Sequence, residues 1–447
     1  MTGQTTNAVR SVRSMWPATE PARWSLRRLR HLADIRPSNV DKKSVDGEAN
    51  VRLCNYTDVY YNDSITSDMS FMPATAPLAQ VKRFELRPDD VLVTKDSETP
   101  ADIAIAAHVR DELPGVLCGY HLAILRPLPH VDGRFLVYAL QSRPLAAQTE
   151  VAASGVTRFA LSTGALADLT LPVPGRAEQL AIADFLDRET AKIDALVAKK
   201  QRLVGLLQEK RTALISHAVT KGLDPDVPMK DSGIEWLGAI PAHWDAGVLR
   251  RAARLESGHT PSRQHPEYWE DCSVPWFTLA DIWQVRPGIQ EYVSETNECV
   301  SEVGLAHSSA RLLQAGTVLL SRTASVGFSA IAERPMATSQ DFANWVCGDA
   351  LLPEYLLYVY RSMRGELLKL TMGSTHKTIY MPIIAKLAGP LPPMDEQRLI
   401  VEHIRRETRR VDALNVKLAQ AIERLREYRS ALITAAVTGQ VDVRAAL

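Results

Sequence analysis

Apolar residues between 182 and 214 recur with a heptad spacing. Ile182, Leu196 and Leu203 share one position of the repeat, and Leu186, Ile193, Leu207 and Leu214 share another. The same frame returns further on, where Ile404, Val411, Leu418, Leu425 and Leu432 fill one position in turn and Leu414 falls on the other. Both stretches predict helices of about 40 residues, rods of roughly 60 Å at 1.5 Å per residue. Each begins after a proline-rich lead-in, LPVPGRAEQ or LPPMDEQ, and ends near a glycine, Gly222 ahead of Pro225 and Gly439. An apolar seam needs a cover, and the available mate for each helix is the other, which predicts a coiled-coil pair within the chain. Elsewhere the apolar runs are shorter. VLV (91–93), IAIAA (103–107) and HLAIL (121–125) read as strands, whereas FLVYALQS (135–142) and PEYLLYVYRSMRGELLKL (353–370) read as amphipathic helices. The expected class is α/β or α+β.

The two helices are copies. Setting residue n against n+218 from Glu178 to Asp224 needs no gap and leaves 20 of 47 positions identical, among them EQ, RET, DAL, ALI and AVT. Fainter matches lie upstream: PARW (21–24) answers PAHW (241–244), DVLVTK (90–95) answers TVLLSR (317–322), and GVTRFALS (155–162) answers GSTHKTIY (373–380). The chain therefore divides into an N-terminal extension (1–20), a globular part (21–176), a helix (177–222), a Pro- and Gly-rich connector (223–243), a second globular part (244–393), a second helix (394–439) and a short tail (440–447). The helices have stayed alike while the globular parts have diverged. Glu189 and Glu407, from the two RET motifs, fall on the expected seam. They serve either to fix register or to contact a partner that meets both copies alike.

Composition narrows the picture by removing explanations. With 52 basic and 52 acidic residues the formal net charge is zero, and each globular part is balanced, 17 basic to 18 acidic over 21–170 and 13 to 15 over 241–390. Bulk charge therefore supplies no nucleic-acid affinity, and any such role needs local basic clusters or a partner that adds phosphate contacts. The N-terminal segment lacks the apolar core of a signal peptide and no run approaches the ~20 residues of a membrane span, so a cytoplasmic protein is expected. The five cysteines are dispersed without a CxxC pair, which predicts separate reduced thiols and no zinc site.

Catalytic signatures are missing: there is no phosphate-binding GxxxxGK[ST], no GxGxxG, no HExxH, no GxSxG, and no Asn-Pro-Pro tetrapeptide of amino-methyltransferases. RPDDVLVTK (87–95) has the acidic residues and terminal lysine of a metal-dependent nuclease strand, but its counterpart QAGTVLLSRT has no carboxylate. Cys118 and His121 have the spacing of half a metal site with no second half nearby.

The order globular part, long helix, globular part, long helix, with EQLAIADFLDRETAKID in the first helix and KRTALISHAVTKGLDP and DSGIEWLGAIPAHW after it, resembles the specificity subunits of Type I restriction-modification systems. The resemblance runs from about Trp24 to Val443. It implies that each globular part is a target recognition domain for one half of a bipartite, asymmetric DNA sequence. It further implies that the helices form an antiparallel coiled coil, a spacer on which two methyltransferase subunits dock and to which endonuclease-translocase subunits are added. This chain would then bind no cofactor, with S-adenosylmethionine, and ATP with magnesium, on the partner subunits, and would carry no catalysis. Two identical partners require two similar surfaces, and an asymmetric target requires two dissimilar ones.

Candidate DNA contacts are sought where both copies present polar or basic groups. The Gly-x-Thr-basic turn gives Gly155, Thr157 and Arg158 in the first domain and Gly373, Thr375, His376 and Lys377 in the second. The strand ends add Thr94 with Lys95, and Ser321 with Arg322, while Arg263 and Gln340 complete the set. Arg and Lys suit guanine edges or phosphates, and Gly permits close backbone approach. These residues equally suit turns and caps. Three other readings stay open on sequence: a scaffold binding proteins only, a homodimerising coiled coil, and an enzyme acting alone.

Overall fold

In the computed structural model the described residues are 24–373 and 377–443. The expected extension at 1–20 and the contact residues Thr375 and His376 lie outside them. The chain divides into two units, one running to Lys200 and resuming at Gln420, the other spanning Gln201–Ala419.

The first unit is built on a five-stranded sheet of Ala33–Pro37 (β1), Ser64–Ile65 (β2), Val91–Thr94 (β3), Ala106–Val109 (β4) and Leu122–Pro127 (β5), in the order β1-β5-β3-β4-β2. All neighbours are antiparallel except β4 with β2. The apolar run of β3 is buried on both faces. Val91 and Val93 point into a core shared with helix Gly133–Leu140 (α1), while Leu92 points into a second core with Val109 and Ile124. A three-stranded sheet of 49–54, 72–76 and 116–118 covers that second core. Strand Ser25–Arg28 pairs with Thr170–Val173, clasping the start of the domain to the residues that lead into Arg176–Lys221 (α2).

The second unit repeats this plan. Its sheet consists of Ala253–Ser257 (β6), Tyr292–Val293 (β7), Val318–Ser321 (β8), Ser329–Ala332 (β9) and Phe342–Cys347 (β10), ordered β6-β10-β8-β9-β7, and again only the last pair is parallel. Val318 and Leu320 face one core, with helix Pro353–Ser362 (α3), and Leu319 faces the other. Strand Asp245–Val248 pairs with Ala388–Leu391 just before the helix Met394–Val437 (α4).

Three expectations are corrected. The IAIAA strand begins only at Ala106, because Ala104 adopts a left-handed backbone (φ 61°) that breaks extension. The 353–370 helix divides at Met363 into α3 and Arg364–Lys369. Cys272 and Cys299 form a disulfide, with Cα atoms 5.5 Å apart. Strand pairing of Val274–Phe277 with Glu298–Val300 joins them, a register that spacing in sequence does not reveal.

One of the two expected seam positions holds, and the other moves by one residue. In α2 the covered positions run Leu186, Thr190, Ile193, Val197, Lys200, Val204, Leu207, Arg211, with Leu214 and Ile215 sharing the next turn, while Leu196 is 48% and Leu203 40% exposed. In α4 they run Ile404, Thr408, Val411, Asn415, Leu418, Ile422, Leu425, Arg429, Leu432, while Leu414 is 41% exposed. Glu189 and Glu407 accordingly leave the seam for its flank. Buried Thr190 and Thr408 are tolerated because each hydroxyl donates to the carbonyl four residues back, Leu186 and Ile404.

Within the first unit the start of α2 meets the end of α4, Ile182 and Leu186 packing with Ile433 and Val437, and Arg429 reaching Asp194 at 3.1 Å. Within the second, the end of α2 meets the start of α4, Ile215 and Val219 packing with Ile400 and Ile404, and Arg211 reaching Asp412 at 3.2 Å. Both pairings are antiparallel, and the two arginine–aspartate bridges are duplicates of one another at n and n+218. Each helix is also locked to its own domain. The buried Gln179 amide accepts from Asp132 N and donates to the Pro174 and His130 carbonyls, and Gln397 does the same with Leu352 N, Pro392 and Ala350. The indoles of Trp24 and Trp244 donate to Glu178 and Glu396.

Candidate nucleic-acid interface

In the first domain the Gly-x-Thr-basic turn is the tip of a hairpin, Ser154–Gly155 paired with Phe159–Ala160, whose outer strand pairs with Asp96–Ser97 just after β3. Strand pairing thus carries the turn to the end of β3. Gly155 has φ 146°, and a Cβ there would lie 2.0 Å from the Arg158 carbonyl oxygen, so only glycine fits. Thr157 and Arg158 are exposed. The Arg158 guanidinium lies 3.8 Å from Asp96 and 3.5 Å from His121 Nδ1, and His121 bonds Asp96 in turn. His121 holds a left-handed backbone (φ 75°), strain of the kind that collects at binding sites. Lys95 is half-buried beside this group, its main chain bonded to His121 and Leu161. Thr94, by contrast, is fully buried, its hydroxyl accepting from Ile105 N, so Lys95 is the reachable member of that pair.

The second domain places its candidates at the same strand end with different chemistry. Ser321 is fully buried. Arg322 donates to the Gln340 and Ile379 carbonyls, and burial lowers its pKa against the opposing pull of Asp341. The Lys377 carbonyl accepts from Ala324 N, tying the 322–328 loop to Lys377, and Gly373 has a left-handed backbone (φ 96°). The Gln340 amide oxygen accepts from the Thr260 hydroxyl. Arg263 stands apart from this cluster. It lies over the Trp269 ring, 3.6 Å from its centroid, and bonds Glu298, an arrangement that holds the guanidinium flat.

Pattern reading missed the aromatic groups at these sites. Tyr56–Tyr60 is a short helix closed by a capping box between Asn55 and Asp58, and it borders a cavity of about 430 Å³ together with Thr157 and Arg158. Tyr56 and Tyr60 stack at 5.4 Å, Tyr61 is exposed, and the hydrogen bond to Asp102, with burial, pushes Tyr60 up to about 12. The second domain has the same capping box, Thr278 with Asp281, and exposes Trp283 where the first has Tyr60. The legible signal was the pair of Asx/Thr-capped turns followed by aromatics, NYTDVYY and TLADIWQ.

The metal readings come apart. The Asp90 carboxylate is buried and held by Arg126 at 2.7 Å, and Asp89 accepts from Gly133 N and contacts His108. Cys118 is buried, which pushes its thiol up, while His121 turns to Asp96. Among the described residues no group of three His, Cys, Asp or Glu is arranged to hold a metal ion, and no helix is long and apolar enough to cross a membrane.

The two helices carry a second kind of surface. Glu189 bridges Lys192 at 2.8 Å and Arg188 at 3.2 Å, with Leu196 exposed on the following turns. Glu407 bridges Arg410 at 3.0 Å and Arg406 at 3.1 Å, with Leu414 exposed in the same way. The outward face is therefore repeated, whereas the domain loops differ.

Comparison with known proteins finds likenesses to one family. Residues 251–424 match the Type I restriction modification DNA specificity domain. The MjaIX specificity subunit of a Type I restriction enzyme from Methanocaldococcus jannaschii is 30% identical over 166 residues, 37% of this chain. That match spans only 38% of the relative's own length. The MjaVIII specificity subunit from the same organism is 19% identical over 375 residues, 81% of each chain. Among solved structures, a chain from work on complex assembly and conformational transition of the type I R-M system has a TM-score of 0.69 at 20% identity, covering 95% of this chain and 100% of its own. At that identity the likeness speaks for the fold.

Proposed function

We propose that this chain is a specificity subunit of the Type I restriction-modification family and that it reads a bipartite, asymmetric DNA target. One half-site is assigned to the recognition domain at 21–176 and the other to the domain at 244–393. Two methyltransferase subunits dock on the paired helices. One observation carries the reading: the outward helix surface, Arg188-Glu189-Lys192-Leu196, recurs at Arg406-Glu407-Arg410-Leu414 with the same internal bridges, while the loops at the strand ends do not recur. Repeated docking surfaces suit two copies of one partner, and unlike loops suit two unlike half-sites.

In the first domain Lys95, Thr157 and Arg158 contact the duplex, with Tyr56, Tyr60 and Tyr61 alongside. In the second, Arg322, Gln340, Lys377 and Trp283 do so. Lys and Arg at such positions divide between phosphate contacts, which position the protein, and base edges, which specify the sequence. The balanced charge of both domains leaves much of the phosphate contact to the methyltransferase partners, so the isolated chain binds DNA weakly. S-adenosylmethionine is bound by those partners, and ATP with magnesium by endonuclease-translocase subunits that join the complex in the cytoplasm. This chain contributes recognition and geometry without catalysis.

The test is a map of modified bases across the host genome with the gene intact and deleted. Loss of methylation at one split, asymmetric motif is expected. An unchanged map in cells where the methyltransferase subunit is expressed and active overturns the proposal.

A further inference from the structure

Where each domain meets its long helices there is a cavity, and the duplication makes the two comparable. In the first unit the cavity is lined by Asp63, Ala104, Ile105, Gln141, Arg426 and Arg429. Its charges are balanced, because Arg429 bridges both Asp63 at 2.5 Å and Asp194, and Gln141 also donates to Asp63. In the second unit the corresponding cavity, about 230 Å³, is lined by Arg211, Arg286, Phe328, Arg361 and Arg364.

Among the described residues only one of those four arginines, Arg211, has a carboxylate in bridging distance. Arg211 takes Asp412. Among the described residues Arg361 donates to the main-chain carbonyls of Gly288 and Gln290, and burial lowers its pKa against the weaker pull of Glu291 and Asp412. Arg286 and Arg364 lie against the same Phe328 ring, 5.5 and 3.9 Å from its centroid. Arg364 is lowered by burial and then by repulsion from Arg286. Like charges held together in a partly enclosed site oppose folding unless something relieves them.

The first copy of the fold does without them. Where α3 has Arg361, α1 leads to Gln141, and the position of Arg364 is filled by Pro144 in the first domain. Arg286 comes from a longer loop: residues 285–291 join the capped turn to β7, where the first domain spans the same gap with 61–63. Three arginines have therefore been added to one copy of a cavity that the other copy closes without them. Planar, fork-shaped donors around a small cavity match an oxyanion with several acceptor oxygens.

We propose that Arg286, Arg361 and Arg364 form a phosphate site, occupied in function by a backbone phosphate of bound DNA. The DNA source is favoured by continuity. The loop 322–328 starts at Arg322, a proposed duplex contact, and runs through Gly327, against which the Arg364 side chain packs. A polymer of phosphates can follow that loop from one basic group to the other. The choice of DNA rests on the proposed function, whereas the oxyanion site does not.

The test uses the full chain assembled with its methyltransferase partners, wild type against R286Q, R364Q and the double variant. Gln keeps most of each side-chain stem, and Arg286 and Arg364 are exposed enough for the fold to survive. Affinity for a duplex is measured against KCl concentration, and thermal stability is measured in inorganic phosphate against chloride at equal ionic strength. The expected result is a salt slope shallower by roughly 0.9 for each phosphate lost, about 3.5-fold in affinity over a fourfold change in salt, with R426Q in the first cavity causing no such change. An unchanged slope together with a phosphate-specific stabilisation lost in the double variant keeps the oxyanion site but assigns it to free phosphate. No effect in either measurement overturns the site. Weakened methyltransferase binding with an unchanged slope also overturns it, in favour of a protein contact. If the wild-type complex binds no duplex, the DNA reading fails and the phosphate measurement alone decides the site.

Discussion

Replacing Leu196 separates two placements of the same residue. If Leu196 belonged to the helix seam, truncation to Ala would leave a cavity and cost about 2–5 kcal/mol of stability. The structure instead leaves it 48% exposed on the outward face, beside Glu189. Full burial of a leucine side chain is worth about 1.5–3 kcal/mol, so covering the remaining half by a partner contributes ~1 kcal/mol, close to fivefold in affinity. L196A is therefore expected to melt within about 0.5 kcal/mol of wild type and to weaken one methyltransferase site about fivefold. L196D is the sharper probe, since enclosing an unpaired carboxylate costs several kcal/mol. In sedimentation or native mass spectrometry with excess methyltransferase, L196D and L414D should each bind one partner subunit, and the double variant none. A single variant that loses both partners, retains both, or unfolds like a core variant refutes the reasoning.

Other consequences can be checked separately. Q397A leaves the buried Pro392 carbonyl and the part-buried Leu352 N–H and Ala350 carbonyl without their partner amide; at about 1–3 kcal/mol for the buried group and less for the other two, a loss of roughly 2 kcal/mol is expected in denaturant melts, with Q179A giving a similar loss. Glu291 is raised by burial but lowered further by hydrogen bonds from Arg405 and Tyr358, and its net pKa is depressed. Its contribution to stability is thus present above the ordinary carboxylate value near 4.3 and fades as pH falls through the lower folded value. The gap in stability between wild type and R405Q should therefore close on acidification from pH 6 to 3, and a gap that widens contradicts the assignment. G155A forces a Cβ into the Arg158 carbonyl, so the hairpin must shift. Methylation of the target is expected to fall at least tenfold while the melting transition stays within a few degrees, and unimpaired methylation speaks against a contact by this turn.

Apolar periodicity made the two helices legible to within a residue or two at their ends, and alignment at n+218 exposed the duplication. One seam position was displaced because apolar counting credits Leu196 over Val197 and cannot credit Thr190, Thr408, Arg211 or Arg429. Those polar residues sit in the seam because of partners elsewhere: a carbonyl one turn back for each threonine, and an aspartate on the facing helix for each arginine. The hairpin at Gly155 was visible as a turn, yet its place beside Lys95 depends on pairing with Asp96–Ser97, 60 residues away in sequence. The arginine cavity was less visible still, its members coming from a helix, an added loop and two sides of a helix break.

Divergence of the two copies reaches the joints as well as the loops. In the first unit Arg134 of α1 bridges Asp187 of α2 at 3.0 Å, and the Tyr138 hydroxyl donates to the same carboxylate. At the equivalent positions of the second unit Glu354 of α3 faces Arg405 of α4 at 3.4 Å, and the Tyr358 hydroxyl donates to Glu291, which holds Arg405 at 2.7 Å. The tyrosine is kept and the charges have exchanged sides. Seating the first domain on the second helix would set Arg134 against Arg405, and the reverse exchange would set Glu354 against Asp187, so each mismatch buries like charges that the native pairing satisfies. The helices thus remain alike on the outward face proposed for docking, while each inner face is matched in charge to its own domain. The asymmetric reading proposed above would require this of a duplicated chain: two surfaces held the same and two joints made different, so that the two half-sites would keep a fixed order.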